Sequence, residues 1–181
     1  MRILGAILAG GEARRFGSDK GLAQLEGQSL IAHAADVLRS MSDAVVVCGR
    51  AVAPAGLATV PDWPAGGLGP LGGLCGALRH AAAGGFDAVL TVGCDTPELP
   101  PAVLGALIAA GGASYVRQLP ILGCWPVTLA ARLADHLATD TDRSVRGWGT
   151  LAGAVAIDAG GDIANINRPD DLTRLIAARA R

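Results

Sequence analysis

The sequence predicts an α/β fold built around a mostly parallel β-sheet. Short apolar runs with the length of buried strands alternate along the 181 residues with longer segments whose apolar positions recur at helical spacing. Hydrophobic residues make up 51% of the chain and charged residues 17%, at a mean hydropathy of +0.41, which excludes an intrinsically disordered protein. A folded chain of 18.1 kDa buries about 70% of the surface of its unfolded state, enough for one core.

The predicted elements follow one another in a regular order. The first strand, Ile3–Leu8, runs into a glycine-rich stretch over 9–21, after which Ser29 can cap a helix. Later strands are expected at 44–48, 58–60, 87–94 and 114–116, in the extended stretch 120–127, and at the sheet edge at 155–158. After a glycine and proline loop at 63–73, helices are expected at 74–83, after Pro100 or Pro101, at 129–137 and at 169–178. Neither a linker nor a repeat interrupts the pattern, so residues 1–181 are predicted to form one domain.

The charge balance argues against a nucleic acid or a membrane as partner. Fifteen basic and sixteen acidic residues give a net charge of −1, so no global field would attract a phosphate backbone or an anionic bilayer. The long uncharged stretch 99–116 contains prolines and glycines that would break a spanning helix, and the first apolar run is too short for a signal peptide. The four cysteines are scattered without a CxxC pair, which predicts a reducing, cytoplasmic location.

The glycine-rich stretch after the first strand is a candidate phosphate-binding loop. It reads LAGGEARRFGSDKG from Leu8 to Gly21, and its glycines would let backbone N–H groups surround an anion while Arg15 and Lys20 add positive charge. Neither the dinucleotide fingerprint GxGxxG nor the Walker A pattern can be written through it. Lys20 is the single lysine beside fourteen arginines, which suggests a position where a compact ammonium is needed.

This loop and four later motifs resemble the molybdenum cofactor guanylyltransferases. The motifs occur in the order and spacing of that family: LAGG and DKG in the loop, PD at 61–62, GPLGG at 69–73, CDTP at 94–97 and NINRPDDL at 165–172. The resemblance implies a Rossmann-like, three-layer α/β/α nucleotidyltransferase fold. It also implies transfer of GMP from GTP to the terminal phosphate of molybdopterin that carries molybdenum, with release of pyrophosphate and with Mg²⁺ as cofactor.

The resemblance assigns a role to each motif residue. Asp95, directly after the strong strand at 87–94, would hold Mg²⁺, a hard cation that prefers carboxylates; alternatively it only caps the next helix or forms a turn. Catalytic roles are implied for Arg15, Lys20 and Asp95. GTP binding is implied for Leu8, Ala9, Gly10, Gly11, Lys20, Asp62 and Asp95. Asp62 and the pterin-side residues Asn165 and Asn167 could instead be turn residues.

Arg143 and Arg146 are candidates for contact with the molybdopterin phosphate, or else mark a solvated helix end. The chain has Cys48-Gly49-Arg50 where many family members carry an asparagine, so guanine selection is expected from main-chain groups near 8–10. A monomer is expected, with transient contacts to molybdopterin-delivering and molybdoenzyme-acceptor proteins. The alternatives are a molybdopterin cytidylyltransferase, a sugar-phosphate nucleotidyltransferase and a non-catalytic nucleotide-binding module.

Overall fold

A computed structural model describes residues 1–10, 19–54 and 56–179, which form a central β-sheet with helices on both faces. The strands are β1 (Ile3–Leu8), β2 (Gln24–Leu25), β3 (Gln28–Ser29), β4 (Ala44–Cys48), β5 (Ala58–Val60), β6 (Ala88–Gly93), β7 (Ser114–Val116), β8 (Gly123–Pro126) and β9 (Val155–Ile157). Seven of them form the main sheet in the order β5-β4-β1-β6-β8-β7-β9, while β2 and β3 form a small hairpin. β8 runs antiparallel to both of its neighbours, and the other pairings of the main sheet are parallel.

The helices are α1 (Leu30–Arg39), α2 (Pro70–Ala83), α3 (Pro101–Ala109), α4 (Ala130–Thr139), α5 (Val145–Ala152) and α6 (Pro169–Arg179). Short 3₁₀ helices lie at Lys20–Leu22 and Val127–Leu129. Within the described ranges, no helix has both the length and the apolar character needed to cross a lipid bilayer.

The core consists of two apolar layers, one on each face of the sheet. Alternate residues of β1 point to opposite faces, as expected for a strand buried on both sides. Leu4 and Leu8 pack with α2, α4 and α5, whereas Ile3 and Ile7 pack with α1 and α3. The predicted three-layer α/β/α class with a mostly parallel sheet is therefore confirmed.

Most predicted elements lie within a few residues of their expected bounds, and Ser29 caps α1 by accepting a hydrogen bond from the amide of Ala32. The assignment of 63–73 to a loop was wrong at its end, because α2 begins at Pro70, where the missing proline N–H suits a first helical turn. Helix α5 was not predicted. Ser144 caps its start, and Gly153, at φ +70°, caps its end.

Candidate functional site

The candidate site lies at the edge of the sheet where the parallel strands β4, β1 and β6 end. Cys48 ends β4, Gly10 lies two residues beyond β1, and Asp95 lies two residues beyond β6. The amide of Ala9 donates a hydrogen bond of 3.1 Å to the carbonyl oxygen of Cys48, which ties the first two strand ends together. Ligands of open α/β sheets bind at this edge, so the fold brings the LAGG and CDTP motifs to the expected place.

Two glycines allow the chain to cross itself at this edge. A Cβ atom on Gly10 would lie 2.6 Å from the Cα of Gly49, and Gly49 has a φ of +82°, which other residues rarely adopt. The close approach places the backbone of Gly10 and Gly49 on one wall of the adjacent cavity. The backbone geometry therefore requires a glycine after Cys48. The absence of the family's asparagine at this place did not indicate that requirement.

Lys20 and Asp95 form an ion pair at the centre of the site although 75 residues separate them. The Lys20 Nζ donates to Asp95 Oδ2 at 2.9 Å, and the side chains are only 16% and 22% exposed. Lys20 opens a 3₁₀ helix whose N-cap is Asp19, which accepts a hydrogen bond of 3.1 Å from the amide of Gly21. The lysine is therefore held by local structure as well as by its partner.

Arg50 is a site residue to which the sequence analysis gave no role. Its guanidinium contacts both carboxylate oxygens of Asp19, with 3.3 Å between Nη1 and Oδ1. Through Asp19 the arginine supports the 3₁₀ helix that carries Lys20, which makes it a positioning residue. No local pattern could reveal this contact, because the partners lie 31 residues apart on different elements.

Asp95 has the properties of a metal ligand. Its Oδ1 is buried, has no hydrogen-bond partner among the described residues, and lies over Gly93, where a Cβ atom would be only 2.3 Å away. It does not cap α3, whose N-cap is Pro100. The described residues contain no group of three or more His, Cys, Asp or Glu that could hold a metal. A cation at Asp95 would therefore be completed by substrate oxygens and water, an arrangement that Mg²⁺ accepts.

Asp62 lines a small cavity of about 180 Å³ beside these strand ends, together with Leu8, Gly10 and Cys48. The Oδ1 of Asp62 is buried and accepts no hydrogen bond from the part of the chain that the structure describes. Burial raises the pKa of this carboxyl above its usual range, because the charged form is poorly solvated. An unpaired acceptor in a small cavity is suited to a ligand that brings its own N–H donors.

The start of α2 is shaped to receive the loop that carries Asp62. A Cβ atom on Gly76 would lie 2.1 Å from the carbonyl oxygen of Pro61, and Cβ atoms on Gly72 and Gly73 would lie within 3.5 Å of the Asp62 side chain. The loop is also fixed by a hydrogen bond of 3.0 Å from the amide of Trp63 to the carbonyl of Gly72. The GPLGG motif thus lets a carboxylate lie directly on a helix.

Cys48 contributes a neutral thiol to the cavity. Burial, and next the nearby charge of Asp62, raise its pKa to about 12. Since the thiolate is the reactive and metal-binding form, this cysteine is neither a nucleophile nor a ligand at neutral pH.

A second pocket, with a volume of about 680 Å³, is lined by residues that follow β7 and β9. Asn165 lines it, and its Oδ1 is buried without a partner among the described residues. The pocket wall is tied to the central strand end by a hydrogen bond of 2.8 Å from the amide of Ile166 to the carbonyl oxygen of Asp95. Asn167 is exposed, and its main-chain amide donates a hydrogen bond to the carboxylate of Asp171 at the start of α6. Asn165 therefore lines the pocket, whereas Asn167 lies on the surface beside α6.

Gly11 and Arg15 lie outside the described residues, so their predicted roles remain predictions. Arg143 donates to the carbonyl oxygen of Leu137 and Arg146 to that of Arg117, so both guanidiniums have main-chain partners.

The chain has matches across its whole length. A family model described as the MobA-like NTP transferase domain matches residues 5–152. Molybdenum cofactor guanylyltransferase from Rhodobacter capsulatus is 38% identical, and the alignment covers 96% of this chain and 95% of that protein. The enzyme of the same name from Cereibacter sphaeroides is 36% identical at the same coverage.

Solved structures share the fold at lower identity. Molybdopterin-guanine dinucleotide biosynthesis protein A from Archaeoglobus fulgidus superposes with a TM-score of 0.76 at 23% identity, covering 98% of both chains. A nucleotidyl transferase from Methanothermobacter has a TM-score of 0.73 at 19% identity, covering 99% of both chains.

Proposed function

Because this chain belongs to the family of MobA-like NTP transferase domains, we propose that it is a molybdenum cofactor guanylyltransferase. The reaction transfers GMP from GTP to the terminal phosphate of molybdopterin and releases pyrophosphate. The observation that carries the proposal is the position of Asp95, which follows β6 at the sheet edge, pairs with Lys20, and has an Oδ1 atom without a hydrogen-bond partner among the described residues. Such a carboxylate can hold a metal ion beside the phosphates of a nucleotide.

We assign the small cavity to the guanine base. Guanine presents N1–H and a 2-amino group side by side, and the unpaired carboxylate of Asp62 can accept from both. Main-chain groups near 8–10 are expected to contribute to base selection as well; of these, the Ala9 amide is already hydrogen-bonded to Cys48. Cytosine offers a single exocyclic donor, N4–H₂, so a carboxylate favours guanine over it. Leu8 and Gly10 complete the walls beside the base.

The triphosphate would then bind beside the ion pair of Lys20 and Asp95. Bound Mg²⁺ would be held by Asp95 and would neutralise negative charge on the α-phosphate and on the departing pyrophosphate. Lys20 supplies a fixed positive charge at the same place. Arg15, which the family resemblance places among the catalytic residues, would add a second.

The chemistry needs no protein nucleophile. The molybdopterin phosphate is a monoester with a second pKa near 6, so it is largely dianionic at neutral pH. One of its oxygens attacks the α-phosphorus of GTP, and the bond from that phosphorus to the bridging oxygen of the β-phosphate breaks. The electron pair leaves with pyrophosphate, so this chain only has to orient the two phosphates and balance their charge.

The protein is proposed to work as a cytoplasmic monomer that receives molybdopterin from one protein and passes the product to molybdoenzymes. Its four free cysteines suit a reducing compartment, since disulfides are rare there.

The test is incubation of the purified protein with Mg²⁺, molybdopterin and GTP, CTP or ATP, followed by mass analysis of the product. We expect the GMP adduct, and a preference for GTP of about 100-fold in kcat/KM, equivalent to about 2.7 kcal/mol. Asp95→Asn should lower turnover by about 100-fold or more with the fold unchanged, since the swap is isosteric. Asp135→Asn, on the exposed face of α4, is the matched control. A preference for CTP, or no transfer, would contradict the proposal.

A further inference from the structure

The larger pocket has two chemically different ends. In the strand order of the sheet, β8, β7 and β9 lie on one side of β6, and the residues after β7 and β9 form the pocket wall. Asn165 marks the near end, because the next residue is hydrogen-bonded to Asp95. Asp158 marks the far end, because it follows β9 at the edge of the sheet. A ligand in this pocket would extend from the metal carboxylate toward Asp158.

The carboxylate at the far end is exposed to solvent, and two neighbouring side chains contact it. Asp158 Oδ1 accepts hydrogen bonds of 3.3 Å from both Arg117 Nε and Gln118 Nε2. Its Oδ2 has no donor among the residues that the structure describes. Arg117 offsets part of the negative charge of Asp158. Asp162, a second residue that lines the pocket, adds another negative charge. The far end therefore offers carboxylate acceptors and no free cation within the described part of the pocket.

This distribution of charge determines at which end of the pocket the phosphate of an acceptor can bind and at which end its ring can bind. The phosphate of molybdopterin would be repelled by Asp158 and Asp162 but suits the end near Lys20, where the metal would neutralise it. The pterin ring is the complementary part: its pyrimidinone edge carries a ring N–H and a 2-amino group side by side, both donors. This is the same donor pair that guanine presents to Asp62 in the other pocket.

We propose that Asp158 is a specificity-determining residue of the acceptor site, whose carboxylate binds the ring N–H and the 2-amino group of the pterin. This assignment rests on the proposed function. It gives the enzyme two carboxylates, Asp62 and Asp158, that read the same donor pair on the two substrates, while Asp95 would lie at the reacting phosphates. The two carboxylates fix the direction in which each substrate lies.

The first experiment measures binding without catalysis. The probes are 6-hydroxymethylpterin, whose fluorescence reports binding, and the matching lumazine, in which a carbonyl replaces the 2-amino group. We expect the wild type to bind the pterin about tenfold more tightly than the lumazine, because a carboxylate repels that carbonyl. Asp158→Asn should remove most of this preference, whereas Asp135→Asn should keep it. Circular dichroism verifies that the variants fold.

The second experiment separates this assignment from the proposed function. In the GMP transfer reaction, Asp158→Asn should raise KM for molybdopterin by about tenfold and leave KM for GTP unchanged. Equal binding of the two probes by the wild type, or an unchanged preference in Asp158→Asn, would overturn the role of Asp158 and leave GMP transfer standing. Absence of transfer by the wild type would overturn the proposed function and this assignment with it.

Discussion

Asp62 illustrates how a binding residue lowers the stability of the protein that carries it. Its carboxylate is held over glycines of α2, and its Oδ1 is buried without a hydrogen-bond partner in the described part of the chain. Burial raises the pKa in the folded state above the unfolded value of 3.8. Below the unfolded pKa the group is protonated in both states and has no electrostatic cost. As the pH rises through the folded pKa, the unfolded state gains the ionised form first, so the free energy of unfolding falls.

Asp62→Asn should therefore stabilise the free protein at neutral pH. The amide keeps the shape without the charge, and we expect a gain of less than about 1 kcal/mol at pH 7, since solvent screens the partly exposed carboxylate, and a smaller gain as the pH falls toward the unfolded pKa. GTP affinity should fall at the same time, because the amide cannot accept from both guanine donors. Urea unfolding at both ends of this pH range and a GTP titration measure both effects. A variant no more stable than the wild type at pH 7 would contradict the role of burial.

Individual site residues could be predicted from the sequence, but the contacts between them could not. Asp95, Lys20 and Asp62 stand out by motif, and the end of a predicted strand correctly places Asp95 at the sheet edge. The contact between Lys20 and Asp95 and the one between Arg50 and Asp19 depend on how distant segments pack, which no local spacing encodes. The position of Asp158 likewise depends on the pairing of β9 with β7.

Among the elements, the buried strands were predictable, whereas the start of α2 and the whole of α5 were not. β1 and β6 are continuous apolar runs, a pattern typical of strands covered on both faces. Glycines lower helix propensity, and they occur in the N-terminal half of α2 and within α5. The sequences of both segments therefore favour loops. In α2 the glycines serve packing instead, because the loop with Asp62 needs close contact with the helix.

Gly76→Ala tests this use of glycine at the level of the element. The new Cβ would lie 2.1 Å from the carbonyl oxygen of Pro61, so the loop must move and carry Asp62 with it. We expect a loss of about 1 to 3 kcal/mol of stability together with weaker GTP binding. Gly105→Ala, in α3, is the matched control: its Cβ would meet Met41 at an ordinary 3.8 Å, and stability should rise by about 0.5 to 1 kcal/mol. Unchanged stability and GTP affinity in Gly76→Ala would show that the contact has no structural importance.

For the whole molecule, the decisive feature is that both apolar layers are built on the same strands. Leu4 and Leu8 of β1 belong to one layer, Ile3 and Ile7 to the other, and β4 and β6 divide their side chains in the same way. Removing either layer would expose one full face of the sheet to water. Both pockets depend on the ends of this one sheet, so the proposed nucleotide and acceptor sides would not belong to independently stable halves.

We therefore expect the chain to unfold as one cooperative unit, in agreement with the prediction of one domain over residues 1–181. Trp125 and Trp148 lie in the layer with α2, α4 and α5, so their fluorescence reports the packing of that layer. Far-UV circular dichroism reports helices on both faces, including α1 and α3 of the opposite layer. The two signals should give the same urea midpoint, and the calorimetric enthalpy should equal the van't Hoff enthalpy. Two resolved transitions, with fluorescence changing separately from circular dichroism, would show that the layers are independent and that the chain is not one folding unit.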